Sequence, residues 1–413
     1  MLNAGEPFAE PLHRFLLARL LSQMAWQMQF VAVGWYVYAL TGSALDLGLI
    51  GLVQFAPIAA LSLFAGHFLD QHPQRTIVMT ALVLQSLLSL GLAGLVLSGL
   101  GNAASIFVVI AGQGACRSFE QPAMLSWLPG LVPSPEFPRA AARLSLSSQA
   151  AAIAGPAFGG ILCVLGPAVP FAITAALQLG ALAMARTLPG VRRPVSEPVS
   201  WHTLLGGLRF IMREDLIRAA IMLDMFCVFF GGGTALLPIF ARDILDLGPA
   251  GLGVLRSAQA VGGLVTGLVL TRHPPVRRAG PRMMTAVTIY GLAIIVLGVS
   301  HNLALSLLAL VTLGAADMLS VVIRTTLVQV AAPDSLRGRV TAVDSLFTGS
   351  STQLSQFESG MTAAWFGPVV SLVLGGVATL AVVALWTWRF PAFTRLDRLE
   401  LSDDAVDRAR AKA

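Results

Sequence analysis

The chain has 413 residues, 56% apolar and only 12% charged, with a mean hydropathy of +0.77 and a formal net charge of +6. Soluble domains carry about 25% charged residues, so a soluble enzyme and a disordered chain are both excluded; a polytopic membrane protein remains, with roughly a dozen spans at about 20 residues each. Lys412 is the one lysine among 27 basic residues, and the placement of the arginines, set out below, makes them a topology signal and excludes a nucleic-acid footprint.

Met1–Pro11 carries Glu6 and Glu10 and is followed by no small-residue cleavage site, so no cleavable leader is expected and the first span directs insertion. Twelve helical spans are expected at about 13–39, 46–69, 76–99, 103–127, 139–165, 167–187, 216–241, 249–271, 282–300, 303–330, 339–364 and 366–389. A backbone in lipid must satisfy its own hydrogen bonds, and helices do so. Span one carries a stripe of Arg19, Gln23 and Gln27 with Trp26 beside it, which either faces a cavity or bonds to neighbouring helices. Alternate connections hold His72 and Arg75; Arg139 and Arg143; Arg186, Arg192, Arg193, Arg209 and Arg213; Arg272, Arg277, Arg278 and Arg282; Arg337 and Arg339. The opposite connections are nearly bare, apart from Arg242, Asp243 and Asp246. This pattern puts both termini in the cytoplasm.

The chain matches itself at an offset of 200. Leu45-Asp46-Leu47-Gly48 corresponds to Leu245-Asp246-Leu247-Gly248, Leu131-Val132-Pro133 to Ala331-Ala332-Pro333, and Arg139 to Arg339. Two six-helix halves are expected, 1–187 and 216–390, joined by a cytoplasmic linker over 188–215 and followed by a tail over 391–413. Within the linker, Leu204, Leu205, Leu208 and Ile211 share one face of an amphipathic helix, read as a strap on the membrane surface. The tail is charged and expected to be solvated.

Several ionisable residues lie deep inside spans: Arg19, Arg117, Glu120, Asp224, Arg256, Asp317, Arg324, Asp344 and Glu358. Each costs about 2.5–3.5 kcal/mol at mid-membrane on insertion scales, so each needs a partner or a path to water. At about 1.5 Å per residue, Arg117 and Asp317 both fall near the middle, at matching positions of the two halves. Either they line a transport path, or Arg117 pairs with Glu120, three residues along the same helix. Arg324 with Asp344 reads as a structural pair, and Arg256 with Glu358 as a buried pair or an outer gate. Cys116, Cys163 and Cys227 form no CxxC or Cys/His cluster, so neither disulfide nor metal site is expected. There is no phosphate-binding loop, nucleophile elbow or HExxH, so no enzyme activity and no cofactor are expected.

Twelve spans in duplicated halves with a basic central loop resemble the major facilitator superfamily. The turn after span two, with Gly66, Asp70 and Arg75, is similar to that superfamily's loop signature Gly-x-Leu-x-Asp-Arg-x-Gly-Arg-Arg, departing from it at Gln71 and Pro73. The resemblance implies that it ties helix two to helix eleven in a conformational switch. Gly155, Pro156, Gly159 and Gly160 resemble the antiporter signature of exporters. The span-four exporter signature fits less well, since its arginine would fall at Ile110. Arg117-Ser118-Phe119 through Pro122, Pro333 to Val340 and Gln356 to Gly360 resemble the branch of enterobactin exporters and macrolide-efflux proteins. That branch implies an all-α fold in the bacterial inner membrane, working as a monomer by alternating access, with a small amphipathic substrate, protons and the lipid bilayer as its partners. Asp317, Glu358 and Asp224 are the candidate proton carriers. Arg117, Glu120, Arg19, Gln23, Gln27, Trp26 and Arg256 are the candidate cavity residues. A multidrug pump, an importer or uniporter of the same fold, and a non-transporting receptor or scaffold stay beside this reading.

Overall fold

The computed structural model describes residues 9–190, 201–273 and 278–396. Its helices are α1 (Ala9–Thr41), α2 (Ala44–Gln71), α3 (Gln74–Leu97), α4 (Ala103–Trp127), α5 (Phe137–Leu165), α6 (Val169–Arg186), α7 (Trp201–Arg213), α8 (Asp215–Phe230), the single turn α9 (Leu237–Ile239), α10 (Gly248–Arg272), α11 (Ala279–Val299), α12 (Leu303–Ala331), α13 (Asp334–Phe366), α14 (Pro368–Arg389) and the turn α15 (Pro391–Thr394). Among the described residues nine segments are long and apolar enough to cross a bilayer. Helices α1, α4 and α13, of 33, 25 and 33 residues, have the length but carry polar side chains instead. Large apolar groups such as Phe64, Leu97, Val108 and Trp388 stand 70–80% exposed, the inverse of a soluble surface and what a lipid-facing belt requires. The fold is all-α, with twelve transmembrane helices from two similar halves.

The duplication is visible in the packing. In the first half α3 packs on α4 and α6, and α1 on α5; in the second α11 packs on α12 and α14, and α8 on α13. Helices α4 and α12 start 200 residues apart, each on an asparagine cap. Asn102 Oδ1 accepts from Ser105 N at 2.8 Å, and Asn302 Oδ1 from Ala304 N at 2.8 Å, which satisfies backbone donors that the first turn leaves open. Gly114 and Gly314, also 200 apart, are crossing points: a Cβ at Gly114 would overlap the carbonyl of Gln54 on α2, and one at Gly314 that of Gln259 on α10.

The chain divides into two compact units, one of Met1–Val199 with Pro238–Ser257, the other of Ser200–Leu237 with Ala258–Ala413. The segment 238–257 therefore sits with the first unit, so the units differ from the two sequence halves. Span seven is not the single helix expected over 216–241. It breaks after Phe230, passes through Gly231-Gly232-Gly233, and resumes as short turns up to Ile244. Three glycines together remove helix propensity. The exposed backbone is recovered locally: Gly233 N donates to Gly231 O at 2.8 Å, and Tyr290 Oη donates to the same oxygen at 3.2 Å.

Ile211, near the end of α7, is buried with Ile217, Ile221, Val328, Val340 and Val343, and Leu208 packs against them; the side chains of Leu204 and Leu205 lie outside the described residues. Ile211→Ala should destabilise the protein by about 2–5 kcal/mol, whereas Met212→Ala on the exposed side should stay within about 0.5 kcal/mol; thermal unfolding in detergent compares them, and equal melting temperatures would leave α7 on the membrane surface. The start of the tail is also anchored. Phe393 is buried against α11 and α14, and Gly280 N donates to Leu396 O at 3.1 Å. The rest of the tail, 397–413, lies outside the described residues.

Candidate functional site

Within the first unit an apolar cluster of Leu12, Phe15, Leu82, Met124, Trp127 and Leu182 joins α1, α3, α4 and α6. One turn further along each of these helices the interior becomes polar. The centre of that layer is Glu120, with 0% exposure. Arg117 Nη1 donates to Glu120 Oε2 at 2.7 Å, Gln85 Nε2 donates to the same oxygen at 3.1 Å, and Ser22 Oγ donates to Oε1. Arg117, 4% exposed, also donates to Gln23 Oε1 and lies 5.0 Å from the Trp26 ring centroid. The network continues from Gln178, which donates to Gln85 at 3.5 Å, to Ser89, which donates to Gln178 at 3.0 Å and to Gln29 at 2.9 Å, and on to Gln113. The pair of Arg117 with Glu120, three residues along one helix, is present. Arg117 and Asp317 belong to different compact units.

The structure adds Ser22, Gln85, Ser89 and Gln178 to the candidates. Their signal was available as isolated polar side chains in the apolar runs of spans one, three and six, but which helices α3 and α6 face is a tertiary fact. Gln27 packs its Cβ by Gly155. Arg19 is 5% exposed, and its Nε and Nη1 have no hydrogen-bond partner among the described residues.

In the second unit the matching layer carries the opposite charge. Arg324 Nε lies 3.2 Å from Asp224 Oδ2, Arg324 Nη1 bonds to Asp344 Oδ1, and Ser320 Oγ donates to Asp224 Oδ1 at 2.9 Å. The expected Arg324–Asp344 pair is thus a triad with Asp224, whose other oxygen accepts from Ser320. Positions 120 and 320 exchange roles: Glu120 on α4 takes a hydroxyl from α1, while Ser320 on α12 gives one to the carboxylate on α8. Asp317 makes no hydrogen bond or ion pair among the described residues. With Asp224, Cys227, Val287, Tyr290 and Ser320 it lines a small cavity with about 10 Å³ of space for water centres, the least that holds one water molecule. Glu358 accepts from Ser359 Oγ at 3.4 Å and Thr362 Oγ1 at 3.5 Å.

The glycine motif of α5 lies at a three-way crossing inside the first unit. Gly155 and Gly159 meet Gln27 and the Met28 backbone of α1, and Gly160 meets the carbonyl of Pro249. Gly253 in turn meets the carbonyl of Pro156. Ser257 Oγ donates to Ile153 O at 2.7 Å, Tyr38 Oη donates to Asp243, and the Arg256 guanidinium stands 4.5 Å from the Phe30 centroid. Proline 156 removes a backbone donor and the glycines admit a neighbouring backbone, so segment 238–257 is locked onto α1 and α5. Arg75 donates to the carbonyl of Arg186 at the end of α6. The side chains of Gly66 and Asp70 lie outside the described residues.

Residues 3–407 match the family described as transmembrane secretion effector. The chain belongs to this family, within the major facilitator superfamily. Among its relatives, the multidrug efflux pump Tap of Mycolicibacterium fortuitum is 28% identical over 358 residues, 81% of this chain and 84% of that one. The enterobactin exporter EntS of Escherichia coli O81 (strain ED1a) is 23% identical over 376 residues, 89% of each. Among solved structures, a bacterial homologue of the human lysosomal transporter Spinster superposes with a TM-score of 0.72 at 14% identity, covering 99% of both chains. A bacterial homologue of ferroportin gives 0.68 at 16% identity, over 92% of this chain and 100% of that one. The protein is therefore a multi-pass membrane transporter and not an enzyme.

Proposed function

We propose that this transporter exports an amphipathic small molecule from a bacterial cytoplasm across the inner membrane in exchange for protons. Its halves, 1–187 and 216–390, alternate access around their polar layers; 188–215 links them and both termini stay in the cytoplasm. The relatives with efflux and exporter names support the outward direction. The observation that carries the proton coupling is Asp317, which lines the water-sized cavity of the second unit and makes no hydrogen bond or ion pair among the described residues. Asp224 is held by Arg324 and Ser320, so it is the weaker carrier, and Glu358 stands between the two. Arg117, Glu120, Arg19, Gln23, Gln27, Trp26 and Arg256 form the substrate-facing set in the first unit.

Inverted membrane vesicles with an imposed pH gradient test this. Dye or siderophore uptake should follow the gradient in the unmodified protein and vanish in Asp317→Asn, with unchanged protein level and melting temperature. Gradient-driven uptake that survives in Asp317→Asn would remove Asp317 from the proton path. Uptake indifferent to pH would make the protein a uniporter.

A further inference from the structure

The polar interior around Glu120 in the first unit contains one positive charge too many. On the helices that form its polar layer, α1 supplies Arg19, α4 supplies Arg117 and Glu120, and α3 and α6 supply only neutral Gln85, Ser89 and Gln178. Glu120 spends its oxygens on Ser22, Gln85 and Arg117. Arg19 is 5% exposed, with Nε and Nη1 buried and unbonded among the described residues. A guanidinium cannot shed its proton to escape this position, and an uncompensated buried cation is among the most costly features a protein can carry. Apolar side chains of the same length would be cheaper for folding, so Arg19 is held for a partner that comes and goes.

That partner must be an anion. A neutral substrate would leave the net charge of the layer at plus one, and a cation would raise it. We propose that Arg19 receives a carboxylate or similarly charged oxygen of the transported molecule, which makes the substrate class an organic acid; this rests on the exporter reading above. The planar fork of Arg19 offers two parallel N–H donors to such a group. Gln23, one turn along α1, already accepts from Arg117, so Arg117 stays paired with Glu120 while Arg19 does the recognition. Trp26, on the same side of α1, adds an aromatic face 5.0 Å from the Arg117 guanidinium.

The test reads binding on the full-length protein in neutral-lipid nanodiscs, without any gradient and in chloride-free buffer. Benzoate and its uncharged analogue benzamide are the probes, followed by calorimetry and by thermal unfolding. Benzoate should bind and raise the melting temperature, and benzamide should do neither. Arg19→Gln should weaken benzoate binding at least about tenfold, the loss expected for one charge-assisted hydrogen bond, and should leave the ligand-free melting temperature equal or higher. Arg19→Lys, which keeps the charge without the fork, should bind benzoate less tightly than the unmodified protein and still discriminate against benzamide. Equal binding of benzamide, unchanged benzoate binding in Arg19→Gln, no binding of benzoate, a lowered ligand-free melting temperature in Arg19→Gln, or loss of that discrimination in Arg19→Lys would each overturn the assignment. Because no proton gradient enters, failed pH-driven uptake would sink the exporter reading while this result stood, and the reverse.

Discussion

Glu120→Ala should be the most damaging single change in the polar interior. Glu120 is fully buried and neutralises Arg117 while accepting from Ser22 and Gln85. Its removal leaves two buried guanidiniums with no carboxylate and takes an acceptor from Ser22 and Gln85. Breaking a buried pair by deleting one partner costs about 3–5 kcal/mol, much of it the stranded charge. Thermal unfolding in detergent should show a large drop, with loss of protein in the membrane fraction. The double change Arg117→Met with Glu120→Leu should recover much of that loss, because it strands no ion beyond Arg19, which has no bonded carboxylate among the described residues of the unmodified protein either. A double variant no better than Glu120→Ala would show that the hydroxyl and amide bonds, and not the charge pair, hold α1, α3 and α4 together.

Gly114→Ala and Gly314→Ala should be nearly as harmful, for a steric reason. At each site a Cβ would overlap a backbone carbonyl of the neighbouring helix, Gln54 on α2 and Gln259 on α10. A backbone atom cannot swing aside as a side chain does, so the helix pair must separate, and overpacking of this kind costs about 1–3 kcal/mol or more. Gly91 on α3 and Gly349 on α13 are internal controls, with nothing within 4 Å of a built Cβ. There alanine should be neutral or raise stability by about 0.5–1 kcal/mol through helix propensity. Melting temperatures of the four variants decide it; a tolerated Gly114→Ala would mean that α2 and α4 do not cross so closely.

Both predictions show where reading along the chain reaches its limit. Gly114 and Gly314 stand out as a matched pair at the 200-residue offset, but only packing shows that each meets a carbonyl. The pairing of Arg117 with Glu120 was legible because three residues along a helix fixes proximity. That Asp224 completes the triad with Arg324 and Asp344 was not, since 100 residues separate Asp224 from Arg324. The amphipathic pattern of α7 was legible, but the partner of Ile211 was not: an isoleucine on such a stripe fits lipid and protein equally well, and only packing shows it buried with Val328 and Val340.

Hydropathy, arginine placement and self-similarity were enough to define an all-α, twelve-span, duplicated membrane protein, because lipid leaves a spanning backbone hardly any other way to bond and because duplication preserves local pattern. Which buried charges meet, and which are left alone, depended on helix rotation and packing. Arg19 and Asp317 illustrate it: each is an ordinary polar letter in an apolar run, and each gains its meaning from what its neighbours have already bonded to.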